Sequence, residues 1–266
     1  MSRIETTIKQ RLTQNEKVFV AYITAGDPDL ATTRKLCHTL ADNGVDIIEL
    51  GIPFSDPIAD GPTNQRAAQR ALEAGASLQK ILDLVRDLRQ DGFSTPIVLF
   101  SYLNPIYRMG FNSFAERAKL AGVDGVLCVD LPSEESHDYR SILQAAGLDT
   151  IFLATPTSDV KRLKVIGDAS NGFVYYVSRT GVTGAQTEIS ETLEVELDAV
   201  KKTIHQPILI GFGISSPSQA KEIAKWGDGI VIGSAIVSRI EKMQHAAAED
   251  AELQSFLQEV RQALST

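Results

Sequence analysis

Between Asp46 and Gly61 the chain reads DIIELGIPFSDPIADG, with Glu49 inside an apolar run and Asp56 and Asp60 in the segment that follows. Taking an ionised acid out of water is costly, so a carboxylate in a buried strand is normally paired, protonated or functional. No basic residue lies within the stretch. Two carboxylates in different surroundings can divide acid and base work, because burial raises one pKa while solvent and hydrogen bonds keep the other ionised. The chemistry this permits is proton transfer at a carbon or oxygen centre. The plainer readings are a buried ion pair for Glu49 and a turn or helix cap for Asp60, which precedes Gly61 and Pro62.

A recurring phrase describes the elements that must position these acids. It appears as NGVDIIELG (43–51), AGVDGVLCVD (121–130), AGLDTIFLA (146–154) and WGDGIVIGS (226–234). Each copy places a glycine after an amphipathic segment, then an aspartate, then a short apolar run. The glycine suits a helix C-cap, and the run suits a strand buried on both faces of a parallel sheet. Filling the gaps gives eight strands, at 18–23, 46–50, 97–101, 125–129, 150–154, 173–177, 208–211 and 229–233. Helical patterns lie between them, such as Leu78, Ile81, Leu82, Val85 and Leu88 with their i, i+3, i+4, i+7 spacing. Eight βα units in about 250 residues predict an α/β fold of the (β/α)8 TIM-barrel type, with an open doubly wound sheet as the alternative. An N-terminal helix near 2–14, read as a lid on the barrel floor, and a short helix after strand 8 beginning near Ser234 fall outside the eightfold count. No linker or composition change divides the 266 residues, which are read as one barrel domain, 1–266.

Active sites in this fold lie at the C-terminal ends of the strands. None of the four histidines, His38, His137, His205 and His245, falls there, and no lysine does. That weighs against a histidine metal cluster, a histidine-based triad and a Schiff-base aldolase. Glu49 shares strand parity with Ile47, so inward-facing odd positions bring its side chain to the barrel mouth, and Asp60 lies in a loop able to fold back over that mouth. Strand 7 runs into GFGISSPSQ and strand 8 into GSAIVSRI. Glycines there allow close backbone approach, and Ser215, Ser216 or Ser234 can begin a helix, which is how barrels often bind phosphate. Turns and caps alone are the plainer reading. The segment SRTGVTGAQTEIS after strand 6 suits a lid, or an ordinary surface loop.

The bulk properties narrow the classes. A formal net charge of −8 with scattered basic residues argues against nucleic acid. No apolar run approaches the ~20 residues that span a bilayer. The N-terminus lacks the apolar core of a secretory signal, so a cytoplasmic location is expected. Cys37 and Cys128 fit a reducing compartment and cannot build a disulfide framework or a four-ligand metal site.

The motifs LGIPFSDPIADGPTNQ (50–65), LNPIYRMG (103–110), DLPSEE (130–135), SRTGVTGA (178–185) and GFGISSPSQ (211–219) occur in barrel order. Through them the chain resembles the tryptophan synthase α subunit over essentially its full length. The resemblance implies retro-aldol cleavage of indole-3-glycerol phosphate to indole and D-glyceraldehyde 3-phosphate, with indole passed to a β subunit in the last steps of tryptophan synthesis. It implies that Glu49 moves the protons and that Asp60 accepts the indole N1–H. Tyr22, Phe100, Tyr102, Leu127, Val129, Leu153 and Tyr175 would form the indole slot, each with plain barrel core as its alternative. Gly184, Gly211, Phe212, Gly213, Gly233 and Ser234 would surround the phosphate, and Thr183 would lock the lid over Asp60. Tyr22 departs from the phenylalanine often found in the family. The resemblance implies no cofactor in this chain, PLP belonging to the β subunit, and an α-β-β-α tetramer docking around Asp56, Pro57, Asn104, Pro105 and 130–132. A sugar-phosphate isomerase or epimerase would need a second acid–base residue at another strand mouth, and none is found. A stand-alone lyase releasing free indole, or a non-catalytic activating partner barrel, are the other readings.

Overall fold

The computed structural model describes residues 1–178, 186–211, 213–243 and 251–265, and for 186–192 the backbone alone. Nine strands are present: β1 (Val18–Thr24), β2 (Ile47–Gly51), β3 (Ile97–Ser101), β4 (Gly125–Cys128), β5 (Asp149–Ile151), β6 (Leu153–Ala154), β7 (Val174–Val177), β8 (Ile208–Gly211) and β9 (Gly229–Ile232). All pairings are parallel, in the order β5-β4-β3-β2-β1-β9-β8-β7-β6. The strand expected at 150–154 is thus two, broken at Phe152. Ile151 pairs with Leu127 of β4, whereas Leu153 pairs with Tyr175 of β7, whose N–H donates to the Phe152 carbonyl at 3.1 Å. Phe152 hands one extended segment from one neighbour to the other, and the two ends of the sheet order meet there. The fold is the expected (β/α)8 barrel.

Alternation along the strands sorts apolar side chains into two cores. One set, with Phe19, Ala21, Ile48, Leu50 and Leu99, packs under the surrounding helices, including Leu36, Leu40, Ile81 and Val85. The other fills the barrel interior with Val18, Val20, Ile47, Val98, Leu127, Ile151, Phe173, Leu209 and Val231. This is the period-two pattern of strands covered on both faces. Two helices rather than one follow β2 (Pro62–Glu73 and Leu78–Gln90) and β3 (Leu103–Met109 and Phe111–Ala121). The expected extra helix after the last strand is Ser234–Lys242, and Ala251–Leu264 follows it.

The repeated aspartates organise the floor. Asp46, Asp124 and Asp228 accept the N–H groups of Phe19, Ile97 and Ile208 at 2.9, 2.8 and 2.8 Å, each satisfying a donor at the start of the neighbouring strand. Asp46 and Asp124 also anchor the N-terminal helix Arg3–Thr13, through Arg11 Nε at 2.6 Å and through Arg3. Asp149, from the third copy, accepts the Ser2 hydroxyl at 2.5 Å, while Ser2 itself forms a capping box with Glu5. Ile4 and Ile8 of this helix are fully buried against the barrel interior. The helix is the floor lid expected near 2–14.

Candidate active site

The uppermost inward positions of the strands meet in a cavity of about 550 Å³. Its wall includes Tyr22 from β1, Glu49 from β2, Phe100 from β3, Leu153 from β6 and Tyr175 from β7, with Val129 just past β4. Tyr22 and Phe100 pack edge to face with centroids 5.2 Å apart. These are the slot residues expected from the sequence, with two exceptions. Leu127 sits one layer lower, fully buried in the interior core, because it lies two positions before Val129 on the same strand face. Tyr102 does not line the cavity; its hydroxyl donates to Asp60 Oδ2 at 2.9 Å and accepts the Ala59 N–H at 3.0 Å.

Glu49 is 1% exposed, and neither of its carboxylate oxygens has a hydrogen-bond partner among the described residues. Burial alone pushes its pKa up to about 8. Asp60, half-buried, is also raised by burial, but hydrogen bonds from Tyr102 and Asn64 oppose the rise. Burial, reinforced by the facing acids, pushes the Tyr22 and Tyr175 phenols upward and keeps them neutral. No Lys, Arg or His lines the cavity among the described residues. The site therefore pairs a buried acid that burial biases toward its protonated form, without a partner among the described residues, with an acid hydrogen-bonded by Tyr102, in an aromatic slot.

Gly213, Gly233 and Ser234 also line the cavity. Ser234 opens its helix after Gly233, with no side-chain cap, so free N–H groups and the positive helix end face the cavity. Ser216, by contrast, is used as the cap of Pro217–Ala224, accepting the Gln219 N–H at 3.3 Å. Gly211 is not on the cavity wall. A Cβ there would stand 2.2 Å from the Tyr175 hydroxyl, so this glycine makes room for the ring. Gly51 does the same for Tyr22, where a Cβ would meet the hydroxyl at 2.4 Å. Thr183, Gly184 and Phe212 lie outside the described residues. Asn64, Thr155, Val177, Ile214 and Val231 are also on the wall, as are Ala59, Gly61, Pro62 and Thr63, without having been singled out for it; the signal available for Thr155 and Val177 was their place at strand ends, and for Val231 its inward parity.

No group of three or more His, Cys, Asp or Glu able to hold a metal ion occurs among the described residues, and none of their helices is long and apolar enough to cross a membrane. A parallel eightfold barrel with acids, an aromatic slot and an open helix end at its mouth defines a (β/α)8-barrel enzyme acting on a small molecule. The family profile described as tryptophan synthase alpha chain matches residues 8–265. The chain is 48% identical to the tryptophan synthase alpha chain of Geobacter sulfurreducens over 99% of both chains. It is 49% identical to that of Geotalea uraniireducens over 92% of this chain and 91% of the relative. The crystal structure of tryptophan synthase subunit alpha from Legionella pneumophila superposes with a TM-score of 0.91 at 37% identity, covering 99% of this chain and 98% of that one. The chain belongs to the tryptophan synthase alpha chain family, and its activity is of the lyase type, in tryptophan synthesis.

Proposed function

We propose that the chain cleaves indole-3-glycerol phosphate to indole and D-glyceraldehyde 3-phosphate, with Glu49 as acid and base and Asp60 as the acceptor of the indole N–H. The observation that carries this reading is Glu49: a buried carboxyl in the slot wall, with its pKa pushed up to about 8 and no hydrogen-bond partner among the described residues. Its proton goes to indole C3, giving an indolenine whose ring nitrogen becomes positive. Asp60, held by Tyr102, stabilises that charge through N1–H. The C3 to side-chain carbon bond then breaks, its electron pair returns to the ring, and the hydroxyl proton of the departing carbon passes to the Glu49 carboxylate. The hydroxyl oxygen becomes the aldehyde oxygen, and Glu49 is protonated again. Atoms balance without an outside reagent.

Leu153, Phe100 and Val129 bound the flat indole, while Gly213, Gly233 and Ser234 receive the phosphate beside the open helix end. Thr183, Gly184 and Phe212 belong to the same phosphate and lid assignment. PLP is assigned to the partner β subunit, which docks over the mouth in an α-β-β-α tetramer and takes the indole. The test is indole release from indole-3-glycerol phosphate by the purified chain, alone and with β subunit added. Indole in either arm supports the reading; none in both, with correctly folded protein, overturns it.

A further inference from the structure

Two helices begin at the cavity wall. Pro62–Glu73 follows Gly61, and Ser234–Lys242 follows Gly233; in neither does a side chain cap the first turn. Gly61, Pro62, Thr63 and Asn64 line the cavity next to Asp60 in the chain, and Gly233 and Ser234 line it just past β9. Further along, away from the cavity, the same two helices are bridged. Arg66 Nε and Nη2 hold the two oxygens of Glu241 at 2.9 and 2.8 Å. Arg70, one turn on, gives Nη1 to Glu241 at 2.8 Å and its other two donors to both oxygens of Asp27, each at 2.8 Å. Asp27 lies just past β1 and is 3% exposed. Two segments that supply cavity residues, those following β2 and β9, thus share one charged clamp, which also takes in Asp27 just past β1.

We infer that Arg66, Arg70 and Glu241 are positioning residues that fix the spacing between the acid end of the site and its anion-binding end. Bidentate guanidinium–carboxylate pairs are directional, so they set the relative register of two helices as well as attracting them. A phosphorylated substrate spanning both ends needs that register: misplacement by about 1 Å can cost ~100-fold in rate. The Arg66 and Glu241 side chains are 53% and 29% exposed, where such pairs contribute little to stability. Their placement therefore fits geometry better than fold energy.

The inference rests on the proposed phosphate site, and inorganic phosphate binding to the full chain separates the two. Glu241→Gln and Arg66→Gln should melt within a few degrees of wild type, bind inorganic phosphate several-fold more weakly, and raise KM for indole-3-glycerol phosphate more than they lower kcat. Arg66→Lys, which keeps the charge but loses the fork, should recover only part of the loss. Wild type that binds phosphate, with both glutamine variants matching it in phosphate affinity and KM, overturns the clamp alone. Wild type that binds no phosphate overturns the phosphate site and the clamp with it.

Discussion

Glu49 costs the folded chain stability in return for holding its proton near neutral pH. Its ordinary pKa of 4.5 applies in the unfolded chain, and the folded value is about 8. Between these two values the folded state holds a proton that the unfolded state has released, so stability falls as pH rises through the window and is lowest above about 8. Glu49→Gln should therefore raise stability by roughly a few kcal/mol at pH 8, with the gain vanishing below pH 4.5, as measured by urea unfolding across pH. The same variant should lose about 10²- to 10⁴-fold in kcat, the usual scale for a general acid–base group. In the wild type, the rate should decline on the alkaline side as Glu49 loses its proton near pH 8. Activity retained in Glu49→Gln would transfer the proton chemistry elsewhere. Glu49 was legible from strand parity and the missing basic neighbours. The role of Tyr102 was not, since sequence places it with the slot aromatics, and only the fold of the loop 52–61 brings Asp60 under its hydroxyl. Gly51 and Gly211 were equally hidden, because their need arises from a ring on the adjacent strand.

At the scale of elements, the repeated glycine–aspartate phrase carried more than strand positions. Its glycines end helices at positive φ in three copies, Gly44 (90°), Gly122 (85°) and Gly147 (84°). Its aspartates tie strand starts to one another and to the N-terminal lid. The Phe152 break was not readable, because the apolar run 150–154 has no residue that marks a change of partner. The floor contacts should also outweigh the exposed clamp energetically. Asp46 joins Arg11 at 2.6 Å, Arg261 at 2.9 Å and the Phe19 N–H, with its side chain only 3% exposed. Asp46→Ala strands Arg261, whose side chain is 14% exposed, and should cost about 3–5 kcal/mol by denaturant titration, whereas Arg66→Gln, at an exposed side chain, should leave the unfolding midpoint close to wild type. Equal losses in the two variants would reverse that ranking.

For the molecule as a whole, the barrel separates a closed floor from an open mouth, and several large apolar side chains stand in water around that mouth. Ile58 is 88% exposed in the segment after β2, Tyr107 69% in the helix after β3 and Val160 66% at the start of the helix after β6, all on the side that carries the cavity. Phe54, Pro57 and Ile58 border a separate surface groove on that face. Large side chains left in water at the mouth fit a face that a partner covers, and aromatic anchors supply a disproportionate share of interface energy. Tyr107 meets this description: it packs on Phe111, with centroids 6.0 Å apart, and is absent from the cavity wall. Tyr107→Ser should therefore weaken association with a tryptophan synthase β subunit by about 2 kcal/mol, roughly thirtyfold in Kd, in a binding titration of the purified subunits. Indole release by the chain alone should stay at the wild-type rate, since no proposed reaction step touches Tyr107. Unchanged β-subunit affinity would move the docking surface off the helix Leu103–Met109, while a parallel fall in unassisted indole release would mean that the helix supports Tyr102, and through it Asp60, rather than the partner.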